Sequence, residues 1–128
     1  MESISFDITS EILLAGDVSF LASLVLLAIL SWAASQNIPF SNSIPMQWGF
    51  NGKPIWRAAR RFGLLFTPVI AAITGVILSF LAHRPPLGLA HSLSLELLNL
   101  AIIRVGVAVA FVFAHILHLS LVLREIKK

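Results

Sequence analysis

The chain has 128 residues, 58% of them hydrophobic and 12% charged, with a mean hydropathy of +0.93. A soluble domain of this size has no interior large enough to hide so much apolar surface, so residues 1–128 are expected to form a single integral membrane domain. Nine Lys and Arg against six Asp and Glu give a net charge of +3 without the basic tracts of a nucleic-acid binder, and the absence of cysteine excludes disulfides, thiolate metal sites and thiol nucleophiles.

Three stretches carry no charge: 17 residues from Val18 to Ala34, 21 from Phe62 to Ala82 and 19 from Val105 to Leu123. Each is long enough to cross a hydrocarbon layer of roughly 30 Å as a helix. The predicted fold class is therefore an all-α membrane protein with three transmembrane helices. Ahead of the first span, Ile4, Phe6 and Ile8 alternate with polar neighbours, which predicts an extended or interfacial segment. That segment carries Glu2, Asp7, Glu11 and Asp17 and no Lys or Arg, the reverse of a signal-peptide n-region, so the first span is expected to stay in the mature protein.

The second helix is expected to start early. Pro54 suits a first helical position, and Arg57, Arg60 and Arg61 would then share one face at i, i+3, i+4. Cations at a helix N-terminus oppose the macrodipole, so helix stability does not explain them; contact with anionic headgroups, or plain positive-inside flanking charge, does. Pro68 is expected to kink this helix, with Thr67 available for the freed carbonyl. The third helix is expected to begin near Leu93, capped by Ser92 with Glu96 in its first turn. From Leu93 to Leu123 it would be ~46 Å long, so it must tilt or project into the headgroups. Small residues recur every fourth position in Ala15, Ser19, Ser23; in Ala71, Gly75, Ser79; and in Gly106, Ala110, Ala114, which predicts a compact bundle.

Between the first two spans, Pro39, Pro45 and Pro54 exclude a continuous helix. Asn51-Gly52 is the dipeptide favoured in a two-residue type I′ turn, so a short interfacial hairpin is predicted, Ile44 to Phe50 against Lys53 to Trp56, with positive φ at both turn positions. Phe40, Trp48, Phe50 and Trp56 suit the headgroup layer.

The same loop resembles the first-loop motif of the SdpI-like membrane proteins, I-P-x-H-[WF]-x-x-x-G-x-P. Ile44, Pro45, Trp48, Gly52 and Pro54 fall on it, while Gln47 stands where that family has histidine. The likeness runs from about Ile38 to Ile70, and the SdpI-type C-terminal half is not matched. The resemblance implies a partner-binding membrane protein, associated in the namesakes with immunity to a secreted toxin and with sequestration of a repressor. It implies no reaction, and the loss of the histidine removes the residue a metal or proton role would use. Pro45, Gln47, Trp48, Asn51, Gly52, Pro54 and Trp56 are the candidate partner-facing loop; Arg57, Arg60 and Arg61 are the candidate lipid-headgroup contacts.

Within the bilayer, Arg104, His115 and His118 share one stripe of the third helix with Ala108 and Phe111, so that stripe should face protein. Asp17 and Arg104 sit at matching depth and either pair or snorkel separately. Two histidines at i, i+3 invite a haem or chlorophyll-type pigment, but helices one and two offer no second intramembrane ligand, and His83 and His91 lie at the opposite face. The alternative is a hydrogen bond from either histidine to a neighbouring helix. No nucleophile elbow, paired carboxylates or zinc spacing occurs, so no enzyme is expected and no metal or cofactor is assigned.

These features together predict a small non-enzymatic, multi-pass protein of the cell (inner) membrane that acts by protein–protein interaction. It would be either an SdpI-like immunity or regulatory factor or an accessory subunit of a larger membrane complex, with lipids and other membrane subunits or a second copy as partners. The alternative is a pigment- or haem-binding subunit using His115 or His118. Lys53, Arg57, Arg60, Arg61, Arg124, Lys127 and Lys128 fall on one side of the membrane and Arg84 on the other, which places the N-terminus outside and the loop and C-terminus in the cytoplasm. In intact cells an impermeant thiol reagent should therefore label Arg84→Cys and spare Asn51→Cys; the opposite labelling would invert the topology.

Overall fold

The computed structural model describes the backbone of residues 2–83 and 93–128, with side chains over 8–83 and 98–128. The expectations at Arg84, His91 and Ser92, and the side chain of Glu96, lie outside the described residues. The elements are α1 (Glu2–Ser35), β1 (Ile44–Trp48), β2 (Pro54–Ala58), α2 (Arg60–His83) and α3 (Leu93–Ile126). Ile8–Ser35, Arg60–His83 and Leu98–Ile126 are long and apolar enough to cross a membrane. The chain is a multi-pass membrane protein, three helices with a two-stranded antiparallel sheet between the first two.

Two element boundaries differ from expectation. The segment before Val18 is not extended; α1 runs unbroken from Glu2. A lone extended segment has no strand to pair with, whereas continuing the helix satisfies every backbone group internally. Likewise α2 starts at Arg60, not Pro54, because Pro54–Ala58 is β2. Arg57 is thus a strand residue and does not share a helix face with Arg60 and Arg61. A helix from Pro54 would have left the polar backbone of β1 unpaired.

The hairpin is real, but its turn is different. Gly49 N–H donates to Lys53 O (2.9 Å) and Gly52 N–H to Gly49 O (3.0 Å), closing a three-residue loop in which Gly52 alone has positive φ, at 75°. This is the turn-plus-left-handed-glycine loop, not a two-residue type I′ turn. Asn51 keeps negative φ and accepts the Lys53 N–H on its own Oδ1 at 3.1 Å. The register then runs Ile44↔Ala58, Pro45↔Arg57, Gln47↔Trp56 and Trp48↔Pro54, so Met46 and Ile55 are each bulged out of the ladder. Both prolines fit because a two-stranded sheet consists only of edges.

Helix packing explains which small residues matter. Gly75 of α2 lies against the Phe20 ring of α1 so closely that any Cβ would overlap it. Ala71 and Gly75 are buried, but Gly106, Ala110 and Ala114 are all exposed, and the expectation that this third row lines the bundle is corrected. At 100° per residue that row begins about 200° round α3 from Arg104. A helix that turns Arg104 and His115 inward must turn the small row out to lipid.

Pro68 organises the centre of the bundle. Lacking an N–H, it leaves Leu64 O without its helical partner. The filler is Ser31 of α1, not Thr67: Ser31 Oγ donates to Leu64 O at 2.7 Å. Having spent its one hydrogen, Ser31 accepts at 2.7 Å from His115 Nε2 of α3. One relay therefore joins all three helices, and it fixes the His115 tautomer with the proton on Nε2. Ser31→Ala should cost about 1–3 kcal/mol by stranding two buried groups. In a Pro68→Ala background, where α2 supplies its own donor to Leu64 O, the same substitution should cost less. Reversible unfolding of the four proteins in bicelles measures the difference.

Candidate functional site

The hairpin is held against the bundle by side chains from all three helices. Ile44 and Pro45 are fully buried, and a Cβ on Gly63 of α2 would fall 2.7 Å from Ile44 Cβ. His118 of α3 donates through Nε2 to Pro45 O at 2.9 Å, and its ring meets Trp48 edge-on with centroids 5.8 Å apart. Around this contact Ala34, Ile38, Ile44, Leu64, Leu119 and Val122 form a continuous apolar core. The hairpin is thus a fixed platform.

Arginine supports the platform from below. Arg60, the first residue of α2, donates from Nη2 to Ser35 O (2.7 Å) and from Nε to Ile38 O (3.0 Å), with its guanidinium 4.5 Å from the Phe40 ring centroid. The last carbonyls of α1 have no helical donors, and the negative end of its dipole favours a cation. Arg60 therefore opposes one dipole in order to complement another. Arg57 reaches back to Ser43, from Nε to Oγ at 2.8 Å and from Nη2 to the carbonyl at 3.1 Å. Arg61 is exposed, as are Lys53, Arg124, Lys127 and Lys128.

The outward surface of the platform is apolar at its edge. Phe50 at the tip is fully exposed, and Phe40, Ile55 and Trp56 are exposed beside Gln47, Asn51 and Gly52. The candidate loop residues divide accordingly: Pro45, Trp48 and Pro54 are turned toward the bundle to differing extents, and the others face out.

A second polar cluster lies far from the hairpin. Asp17 of α1 accepts from Arg104 Nη2 of α3 at 2.6 Å, from His83 Nε2 of α2 at 3.0 Å and from Ser79 Oγ of α2 at 3.4 Å, and Arg104 also donates to Ser79 Oγ at 3.4 Å. Asp17 stands 18 residues before Ser35, about 27 Å along the helix, so this cluster and the hairpin lie at opposite limits of a hydrocarbon layer. The Arg104 side chain is 3% exposed and that of Asp17 34%. Gly16 makes room for it, since any Cβ there would overlap the guanidinium.

No protein-family model, curated protein or solved structure matches the chain. The site must be read from its own geometry. Sequence reasoning placed Asp17, Arg104, His115 and His118 as the intramembrane polar set, and here Asp17 meets Arg104 while the two histidines serve separate contacts. It missed Ser31, Ser79 and His83 as partners. For Ser31 a signal existed, because Pro68 demands a donor for Leu64 O, but the chain gives no indication of which helix supplies it. As for a pigment, Nε2 of His115 and of His118 are both bonded to protein oxygens, and His115 Nδ1 is buried without a partner.

Exposure makes the Asp17–Arg104 pair asymmetric. Removing Arg104 leaves a carboxylate that water already reaches, whereas removing the charge of Asp17 strands a buried guanidinium. Asp17→Asn should approach the roughly 3–5 kcal/mol of a broken buried pair, and Arg104→Met should cost less. The double variant should fall below the sum of the two, as a non-additive cycle of unfolding free energies would show.

Proposed function

We propose that the chain is a non-enzymatic, SdpI-like membrane protein that works by binding another membrane protein through its hairpin platform, as an immunity or regulatory factor or as an accessory subunit. In this reading the hairpin and C-terminus face the cytoplasm. The observation that carries it is Phe50: a large apolar side chain fully exposed at the tip of a hairpin whose base is seated by the buried Ile44 and Pro45 and by the His118 bond to Pro45 O. A rigid aromatic loses little conformational entropy on contact, which is the property of a binding anchor. Exposed Lys53 in the same loop and exposed Arg61 at the start of α2 would meet anionic lipid headgroups and orient the platform at the membrane surface.

Photocrosslinking in cells separates a protein partner from lipid. A crosslinker at Phe50 should give a discrete protein adduct, and one at Phe113, exposed on α3 within the membrane span, should not. Phe50→Ser should weaken that partner's binding at least tenfold, about 1.4 kcal/mol. If Phe50 yields only lipid adducts, the platform is a membrane anchor and the partner reading is lost.

A further inference from the structure

Beneath the Asp17 cluster, a small cavity is walled by Phe20 and Ser23 of α1, Ala71 and Gly75 of α2, and Arg104 and Ala108 of α3. The space open to the centre of a water molecule is about 10 Å³, close to what one water requires. Two of its walls are polar. Arg104 uses Nη2 for Asp17 and Ser79, and its Nε and Nη1 hydrogens have no acceptor among the described residues. Ser23, 9% exposed, donates its only hydroxyl hydrogen to Phe20 O at 2.7 Å and keeps its oxygen lone pairs.

We propose that this cavity is a binding site for one buried water, which accepts from the Arg104 guanidinium and donates to Ser23 Oγ. The hydrogen-bonding directions are complementary: the cation side chain has only donors, the serine has only acceptor capacity left, and water supplies both. The size excludes an acyl chain or any larger solute. Apolar cavities of this kind stay dry, so the guanidinium and the serine oxygen are what make this one wet. Ser23 lies six residues beyond Asp17, about 9 Å along α1, so the site carries the polar network of the Asp17 cluster into the outer third of the hydrocarbon layer. Gly75 is part of the construction, because only a residue without a Cβ lets the Phe20 ring come so close to α2 as one wall.

Solid-state NMR of the full chain in phospholipid bilayers, with magnetisation transferred from water protons, tests the site. Transfer is expected to reach the β-protons of Ser23 and Ala71 but not the side chain of Leu27, which is equally buried and apolar. Ala71→Val fills the space and Ser23→Ala removes the acceptor; in each, transfer at the remaining cavity positions should fall to the Leu27 level while His83 at the exposed edge keeps its own. Should Ala71→Val fail to fold, Ser23→Ala, which deletes one oxygen, decides alone. A wild type in which His83 receives transfer and neither Ser23 nor Ala71 does, or a variant in which transfer is undiminished, would overturn the proposal.

Discussion

A polar group inside a membrane must find its partner within the protein, and in this chain that constraint acts most sharply on one backbone carbonyl. Pro68 frees Leu64 O about one turn inside the start of α2, within a segment long and apolar enough to cross the membrane. The unmet acceptor specifies a hydroxyl at that depth on a neighbouring helix, and Ser31 provides it. A serine that gives its hydrogen away needs a donor in turn, which brings His115 inward on α3. Once His115 faces the bundle, helical geometry forces Arg104, one near-integral number of turns away, to face it as well. A single missing N–H on α2 thereby sets the rotation of α3 and the face of α1 that receives it.

The rest of the architecture follows from that rotation. With Arg104 turned inward at the far end, Asp17 is the carboxylate that answers it, and Ser79 and His83 close the shell from α2. At the near end the same stripe brings His118 under the hairpin, where it holds the Pro45 carbonyl. The two polar clusters are spaced by about the thickness of the hydrocarbon, so both rest where water is close and neither has to be maintained at the midplane. Opposite the stripe, Gly106, Ala110 and Ala114 are left facing outward, and Gly106 has open space around it.

Length and hydropathy made the three spans legible, and the 3.6-residue period made the inward stripe of α3 legible, because both depend on one segment at a time. The existence of the hairpin was legible from its prolines and Asn51-Gly52. Its turn geometry was not, because Asn51-Gly52 suits both a two-residue turn and a three-residue loop ending in a left-handed glycine, and only the Gly49–Lys53 closure decides between them. The start of α2 was misread for a related reason: Pro54 is as compatible with an edge strand as with a first helical turn, and only the presence of β1 decides. Arg60 shows the limit most clearly. From its own helix it looks misplaced, and the acceptors that explain it, Ser35 O and Ile38 O, are 25 and 22 residues earlier in the chain.

The positions that carry the resemblance to the SdpI-like loop have distinct physical tasks here. Ile44 and Pro45 are buried beneath the sheet, Trp48 lies against His118, Gly52 supplies the one left-handed residue, and Pro54 opens the returning strand. All five build or seat the hairpin. Gln47, where the motif and this chain differ, is exposed, and so are Phe50 in the turn and Ile55 on the returning strand. A motif made of such positions encodes a shape and its attachment to helices, while leaving the outward side chains free to vary. Under the proposed reading a partner would meet the exposed side chains of Gln47, Phe50, Ile55 and Trp56, and a change of partner would require no change in the residues that fold the loop.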